Sequence, residues 1–241
     1  MIDCMPTDVG IIARDTARVM LQPVAGGLPE LAPGQYLEVV LRPGSRMPLS
    51  IANVPSLHDS QIELHIRHGE SKWRANDLLA RAYARKPIAV EMPKGWVWQK
   101  PPLESPLTLV AGGTGFAQSK AILEALFAAD TTLPIRLFWK VRQMDDFYML
   151  DVLDRWTQQH PSFAYHLLAS EDDNETDFWA QIEAICTDIQ CSDLLVSGSR
   201  DFVLSCQAYL MRNNSSTSWN IQSDMLPKAG DGPVLGKVVQ S

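Results

Sequence analysis

The sequence predicts a small antiparallel β-barrel followed by an α/β domain with a parallel sheet and helices on both faces. Three observations predict it. Up to residue 98 the chain consists mostly of short β-compatible runs separated by dense turn material. From residue 107 onward, strand-like and helix-like segments alternate. Near the head of that second part, Ala111-Gly112-Gly113-Thr114-Gly115-Phe116 stands between an apolar run and a helical pattern.

In the first part the strand candidates are 19–24, 35–41, 48–53, 61–67 and 87–92. Ile62, Leu64 and Ile66 alternate with polar partners, the signature of a strand with one buried face. Between the strands lie Ala25-Gly26-Gly27-Leu28-Pro29, Ala32-Pro33-Gly34 and Arg42-Pro43-Gly44-Ser45, all turn chemistry. A helix over 74–84 interrupts them, with Leu78, Leu79 and Ala82 on one face. Residues 1–98 form the expected barrel domain, and the polar, proline-rich stretch 99–106 reads as a linker.

The second part, 107–226, opens on the strand Leu107-Thr108-Leu109-Val110. Behind the glycine cluster Ile122, Ala125, Leu126 and Ala129 recur at helical spacing. A strand follows at 135–139, then a helix marked by Met149, Val152, Leu153 and Trp156. Next come a strand at 163–169, a helix marked by Phe178, Ile182, Ile185 and Ile189, and a strand at 194–196. A helix over 200–212 and a short strand at 219–222 complete the series, and 227–241 reads as a mobile tail. In an open parallel sheet, ligands bind beyond the carboxyl ends of the strands, which is where the glycine cluster falls.

Strand, glycine turn, helix is the arrangement in which free backbone N–H groups cradle a phosphate. The competing reading is a tight strand-to-helix turn that binds nothing, but Gly112, Gly113 and Gly115 within four residues exceed what such a turn needs. The pattern is not GxGxxG, and no acidic residue at the usual later distance is evident. It therefore points to phosphate more firmly than to a particular nucleotide.

A net charge of −7 argues against a nucleic-acid or anionic-membrane partner. No apolar run approaches a membrane span, and the N-terminus lacks signal-peptide regions, so a cytoplasmic protein is expected. Cys4, Cys186, Cys191 and Cys206 do not match a plant-type iron–sulfur spacing and read as reduced, mostly structural thiols. His65 and His68, at odd separation on one strand, point to opposite faces, and no metal site is expected.

Five motifs in order, Pro33-Gly34-Gln35-Tyr36, Pro48-Leu49-Ser50-Ile51-Ala52, Ile62-Glu63-Leu64-His65-Ile66, Ala111 to Phe116, and Val196-Ser197-Gly198, carry a family resemblance. The chain resembles the small NAD(P)H:flavin oxidoreductases of the ferredoxin–NADP reductase superfamily. The resemblance implies a flavin-binding barrel and an NAD(P)-binding α/β domain. It places the Ser50 hydroxyl near flavin N5, where hydride arrives, with Leu49 and Ile51 flanking the ring and Ile51–Ala52 backbone groups at its polar edge. Arg46, Pro48 and His65 join that flavin set. The family's Arg-x-x-Ser pattern is broken, because Met47 stands at the arginine's position and Arg46 comes one residue early.

On the nucleotide side, the resemblance implies that Gly112, Gly113, Thr114 and Gly115 hold the pyrophosphate, with Phe116 beside them. It places Arg142 near the adenine ribose, with Lys140 as a further cation suited to a 2′-phosphate, and Ser197 and Gly198 beside the nicotinamide. Solvated loops and ordinary core packing remain the alternatives for Arg142, Lys140, Trp96 and Trp98.

The implied cofactors are NADPH or NADH and FAD or FMN, the flavin acting as a dissociable substrate. The implied recipients of reduced flavin are a flavin-dependent monooxygenase or ferric iron. Two other readings stay open: a reductase with bound flavin feeding a partner oxygenase, and a non-catalytic nucleotide-binding module that has lost flavin.

Overall fold

The computed structural model describes residues 1–42, 44–97, 101–171, 176–186, 193–212 and 220–226. Pro43, Trp98, part of the expected linker, Ile189, Cys191, Trp219 and the tail 227–241 lie outside them.

The first part holds β1 (Ile2–Ala13), β2 (Thr16–Pro23), β3 (Tyr36–Arg42), β4 (Ser45–Ser50), β5 (Ile62–Arg67), α1 (Trp73–Tyr83) and β6 (Ile88–Lys94). These strands form one antiparallel sheet in the order β4-β3-β6-β1-β2-β5. The sheet curls until its two edges meet at an antiparallel bridge between Ile51 and Leu64. Leu21, Leu37, Val39, Ile62, Leu64 and Ile66 fill the interior, and α1 packs Leu78, Leu79 and Ala82 against them. Closure of this kind leaves little unpaired edge.

β1 is the one long element the sequence pattern does not announce. Pro6 and Gly10 interrupt its alternation, and its register with β2 shifts between Pro6 and Asp8 and again between Ile11 and Ala13. Only Ile2 to Cys4 pair with β6, so Pro6 lies beyond that ladder and beside a bulge, where a missing N–H costs least. β4 starts and ends three residues earlier than the expected 48–53, because the hairpin with β3 sets its register from Ser45.

The second part contains β7 (Leu107–Gly112), α2 (Phe116–Ala128), β8 (Ile135–Val141), α3 (Leu150–Gln159), β9 (Phe163–Ala169), α4 (Thr176–Cys186), β10 (Asp193–Ser197), α5 (Arg200–Arg212) and β11 (Asn220–Gln222). The strands form a parallel sheet in the order β11-β10-β7-β8-β9. One face is covered by α2 and α3 through Phe116, Ile122, Leu126 and Leu153. The other is covered by α4 and α5 through Phe178, Trp179, Ile182 and Val203. Among the described residues no helix is long and apolar enough to cross a membrane.

β5 differs from the expected half-buried strand. Glu63 and His65 alternate with Ile62, Leu64 and Ile66, yet they are buried as well. Their face of the barrel is covered by Lys120 and Tyr148 from the second part.

Candidate active site

A cleft of about 990 Å³ separates the outer face of β3–β4 from the carboxyl ends of β7, β8, β9 and β10. On the barrel side it is lined by Tyr36, Glu38, Met47, Pro48, Leu49, Ser50, His65, Arg67 and Lys72. Tyr36 pairs with Ser50 across the hairpin, so both flank the cleft at the same level. The Ser50 hydroxyl has no hydrogen-bond partner among the described residues.

The facing wall holds Gly112, Gly113, Thr114, Gly115, Lys140, Arg142, Ser197 and Gly198. After β7 the chain makes a short 3₁₀ turn, Gly113–Gly115, and runs directly into α2. Gly113 takes φ +54°, and a Cβ there would meet nothing closer than the Arg67 guanidinium at 4.0 Å. A side chain at 113 would thus project into open space toward the barrel, the property of a backbone cradle left clear for a ligand. Gly115 is required for the opposite reason: a Cβ would stand 2.4 Å from the Ser197 carbonyl oxygen.

Three expected contact residues do not reach the cleft, and a fourth is directed elsewhere. Phe116 is fully buried, stacked on Trp139 at 4.1 Å between ring centroids and edge-on to Tyr148, so it anchors the glycine turn from beneath. Ile51 and Ala52 are buried in the barrel wall. Arg46 has the outward parity of Pro48 and Ser50, but its guanidinium reaches across β3 to Glu91 Oε1 at 2.9 Å. Met47, of the opposite parity, packs against the barrel core and also lines the cleft. Trp96 packs on the α/β core.

Beneath the cleft lies a polar network that the sequence reading did not find. Lys120 Nζ, on α2, donates to Glu63 Oε2 at 2.9 Å, to Glu124 Oε1 at 2.6 Å and to the Ala52 carbonyl at 3.0 Å. Glu63 Oε1 accepts from His65 Nε2 at 2.9 Å, and His65 Nδ1 lies 3.1 Å from the Tyr148 hydroxyl. Burial pushes the Glu63 carboxyl up, but the His65 hydrogen bond and the Lys120 ammonium outweigh it and hold it at about 2. Glu63 is therefore ionised, Nε2 of His65 carries the proton, and Nδ1 accepts from Tyr148. Burial lowers the His65 pKa and raises that of Tyr148 well above its usual range, so both stay neutral. The clue in the sequence was Gln118, Lys120 and Glu124 on a largely apolar helix.

Asp224 forms the other seam. Its Oδ1 accepts from the backbone N–H of Trp96 and Val97 at 2.9 and 3.2 Å, and Oδ2 accepts from Gln118 Nε2 at 3.1 Å. Burial raises the Asp224 carboxyl, and these three donors oppose the rise. Gln118 Nε2 also donates to the Gly34 carbonyl at 2.7 Å.

Residues 109–207 match the oxidoreductase NAD-binding domain family. The NAD(P)H-flavin reductase of Vibrio harveyi is 32% identical over 167 residues, covering 66% of this chain and 70% of the relative. The chain belongs to the NAD(P)H-flavin reductase family. This reductase is also 32% identical over 155 residues to a terephthalate 1,2-dioxygenase reductase component of Comamonas, but spans only 46% of it. Among solved structures it resembles the Amycolatopsis cytochrome P450 reductase GcoB, with TM-score 0.73, 26% identity, and 91% and 68% of the two chains covered. It also shares the fold of the Plasmodium falciparum ferredoxin-NADP+ reductase, with TM-score 0.72, 14% identity, and 92% and 95% covered. The barrel plus parallel sheet of the reductase is thus the architecture of that superfamily.

Proposed function

We propose that this chain transfers hydride from NAD(P)H to a flavin that enters and leaves the cleft as a substrate. The observation that carries the proposal is the placement of Ser50 and the Gly112–Gly115 turn on opposite walls of one cleft. The barrel, residues 1–98, takes the flavin, 107–226 takes NAD(P)H, and 99–106 links them.

The flavin ring and the nicotinamide supply the two-electron chemistry, and the protein supplies binding, orientation and electrostatics. Backbone N–H groups of Gly113 to Gly115 hold the pyrophosphate at the head of α2. Lys140, near the carboxyl end of β8, and Arg142, just beyond it, take the adenosine end and suit a 2′-phosphate. Gly198 and Ser197 bound the nicotinamide. The unpartnered Ser50 hydroxyl donates to the acceptor atom of the flavin ring, while Leu49, Pro48 and Met47 cover its apolar surface. Holding both reactants in one cleft converts a two-molecule encounter into a step between fixed neighbours.

A weak hold on flavin suits a substrate role. The wall position at 47 is a thioether, and the Arg46 charge is already engaged with Glu91. Reduced flavin then passes to a flavin-dependent monooxygenase or to ferric iron in the cytoplasm. The likeness to a dioxygenase reductase component supports a second reading, in which flavin stays bound and electrons go to a partner oxygenase.

The absorption spectrum of the purified protein, before and after adding flavin and NADPH, separates the readings. The proposal expects a nearly colourless protein that oxidises NAD(P)H only when flavin is supplied. A stoichiometric flavin that survives gel filtration would favour the second reading. Absence of flavin binding at tens of micromolar, with nucleotide binding intact, would sink both.

A further inference from the structure

We propose that Lys120 is a positioning residue for hydride transfer, clamping the Ser50–Ala52 end of the barrel wall to the helix that carries the glycine turn. The proposal rests on the functional reading of Ser50 and the Gly112–Gly115 turn given above.

An ammonium group has three N–H donors, and all three of Lys120 are used: one on Glu124 of its own helix, and two on the barrel, at the Ala52 carbonyl and Glu63. The side chain is only 6% exposed, so water does not compete for these bonds. Lys120 stands about one helical turn beyond Phe116, where α2 leaves the glycine turn. Ala52 stands two residues beyond Ser50. The covalent path from each wall of the cleft to the clamp is therefore short and runs through regular or hydrogen-bonded backbone. Ala52 N–H donates to the Glu63 carbonyl at 2.8 Å, and Ile51 N–H to the Gln35 carbonyl at 3.1 Å.

The same network extends the grip in both directions. Glu124 Oε2 accepts from the Val54 N–H at 3.2 Å and lies 3.2 Å from His58 Nε2, so α2 also holds the segment after Ala52. Through Glu63 the clamp reaches His65, which lines the cleft and is held from the α/β side by Tyr148. The interface is thus crossed at Lys120 and at Tyr148, on either side of the Glu63–His65 pair. A less polar seam would bind the two parts together with more freedom to slide. A triply engaged ammonium admits one register, and hydride transfer is sensitive to separations of a fraction of an ångström.

The test compares the wild type with Lys120→Met, Lys120→Arg and Glu63→Gln. The first readout needs no ligand: amide hydrogen exchange at Ile51–Val54 and Gly113–Gly115. Lys120→Met is expected to speed exchange at both segments about tenfold or more, with Lys120→Arg close to wild type. The second is the single-turnover rate of riboflavin reduction by NADPH, set beside separately measured affinities for riboflavin and NADP+. For Lys120→Met the rate is expected to fall at least about tenfold while each affinity, made within one wall, changes less than about threefold.

Unchanged exchange at the two segments overturns the clamp. Faster exchange with an unchanged rate per folded molecule overturns its role in the reaction. If Lys120→Met does not fold, Glu63→Gln decides, because it leaves Lys120 bonded to Ala52 and Glu124 and weakens one of its two barrel contacts together with the Glu63–His65 bond; a rate within about twofold of wild type then counts against positioning. A wild-type protein that binds both ligands and transfers no hydride overturns the functional reading, while the exchange data still decide the clamp.

Discussion

Ser197 Oγ donates a hydrogen bond of 2.9 Å to the Gly115 carbonyl, and a Cβ on Gly115 would stand 2.4 Å from the Ser197 carbonyl oxygen. Two strand ends of the parallel sheet, β7 and β10, are drawn together here until only hydrogen atoms fit between them. The closeness comes from backbone, so a side chain cannot swing aside to relieve it. Gly115→Ala is expected to destabilise the fold by about 2–4 kcal/mol and to weaken NADPH binding. Urea unfolding and a nucleotide titration check this; an alanine variant of normal stability and affinity would show that the turn has slack. Ser197→Ala leaves the close approach intact and is expected to cost no more than about 1.5 kcal/mol.

Ser50→Ala removes an unpartnered hydroxyl that lines the cleft. The expected outcome is hydride transfer slower by about ten- to a hundredfold, the loss of one hydrogen bond to the reacting ring. Affinity for NADPH stays near wild type, because the glycine turn proposed to hold the nucleotide lies on the other wall. Single-turnover kinetics with riboflavin measures the first and fluorescence titration the second. Equal turnover in the variant would make Ser50 an ordinary strand residue.

Met47 lines the cleft while Arg46 is engaged with Glu91, which gives a substitution that adds function. Met47→Arg brings a guanidinium to the cleft lining in exchange for the thioether's packing on the barrel core. Affinity for FMN and FAD is expected to rise about tenfold relative to riboflavin, which has no phosphate. If all three flavins tighten or weaken together, the flavin phosphate does not pass position 47.

The buried His65–Glu63 pair makes stability depend on pH in one direction. His65 has its pKa lowered by burial, so the folded protein resists a proton that the unfolded chain accepts below about 6.5. Glu63 is held down to about 2 once His65 and Lys120 outweigh burial, so its contribution is present above about 4.5 and is lost as pH falls toward 2. Unfolding free energy should therefore drop from pH 7.5 to 5.5 through His65 and fall further below pH 4.5 through Glu63. Urea denaturation across that range measures it, and His65→Gln should flatten the upper part. A profile that is flat from 7.5 to 5.5 in the wild type would mean His65 is not held neutral.

Much of the architecture was legible because it rests on local regularities. Leu78, Leu79 and Ala82 mark the buried face of α1, and 163–169 and 200–212 coincide with β9 and α5. The glycine turn was legible because strand, glycines and helix are contiguous in the chain. β1 was not, because Pro6 and Gly10 break the alternation and long-range pairing with β2 supplies what local pattern lacks. Phe116 was legible as an aromatic beside the turn, but whether it faced the ligand or the core depended on Trp139 and Tyr148, from β8 and the segment before α3.

By itself the sequence determined a barrel followed by a parallel α/β sheet, a glycine turn at the head of α2 and a family resemblance anchored on Ser50 and Gly112 to Gly115. Those features depend on residue periods and on glycines a few positions apart, which neighbours in the chain decide. Only the tertiary structure decided that Glu63 and His65 are buried, that Lys120 of α2 spends two of its three hydrogen bonds on the barrel, and that Arg46 answers to Glu91. These contacts join residues 45 to 83 positions apart, and a side chain's partner across such a distance is set by how two packed surfaces meet.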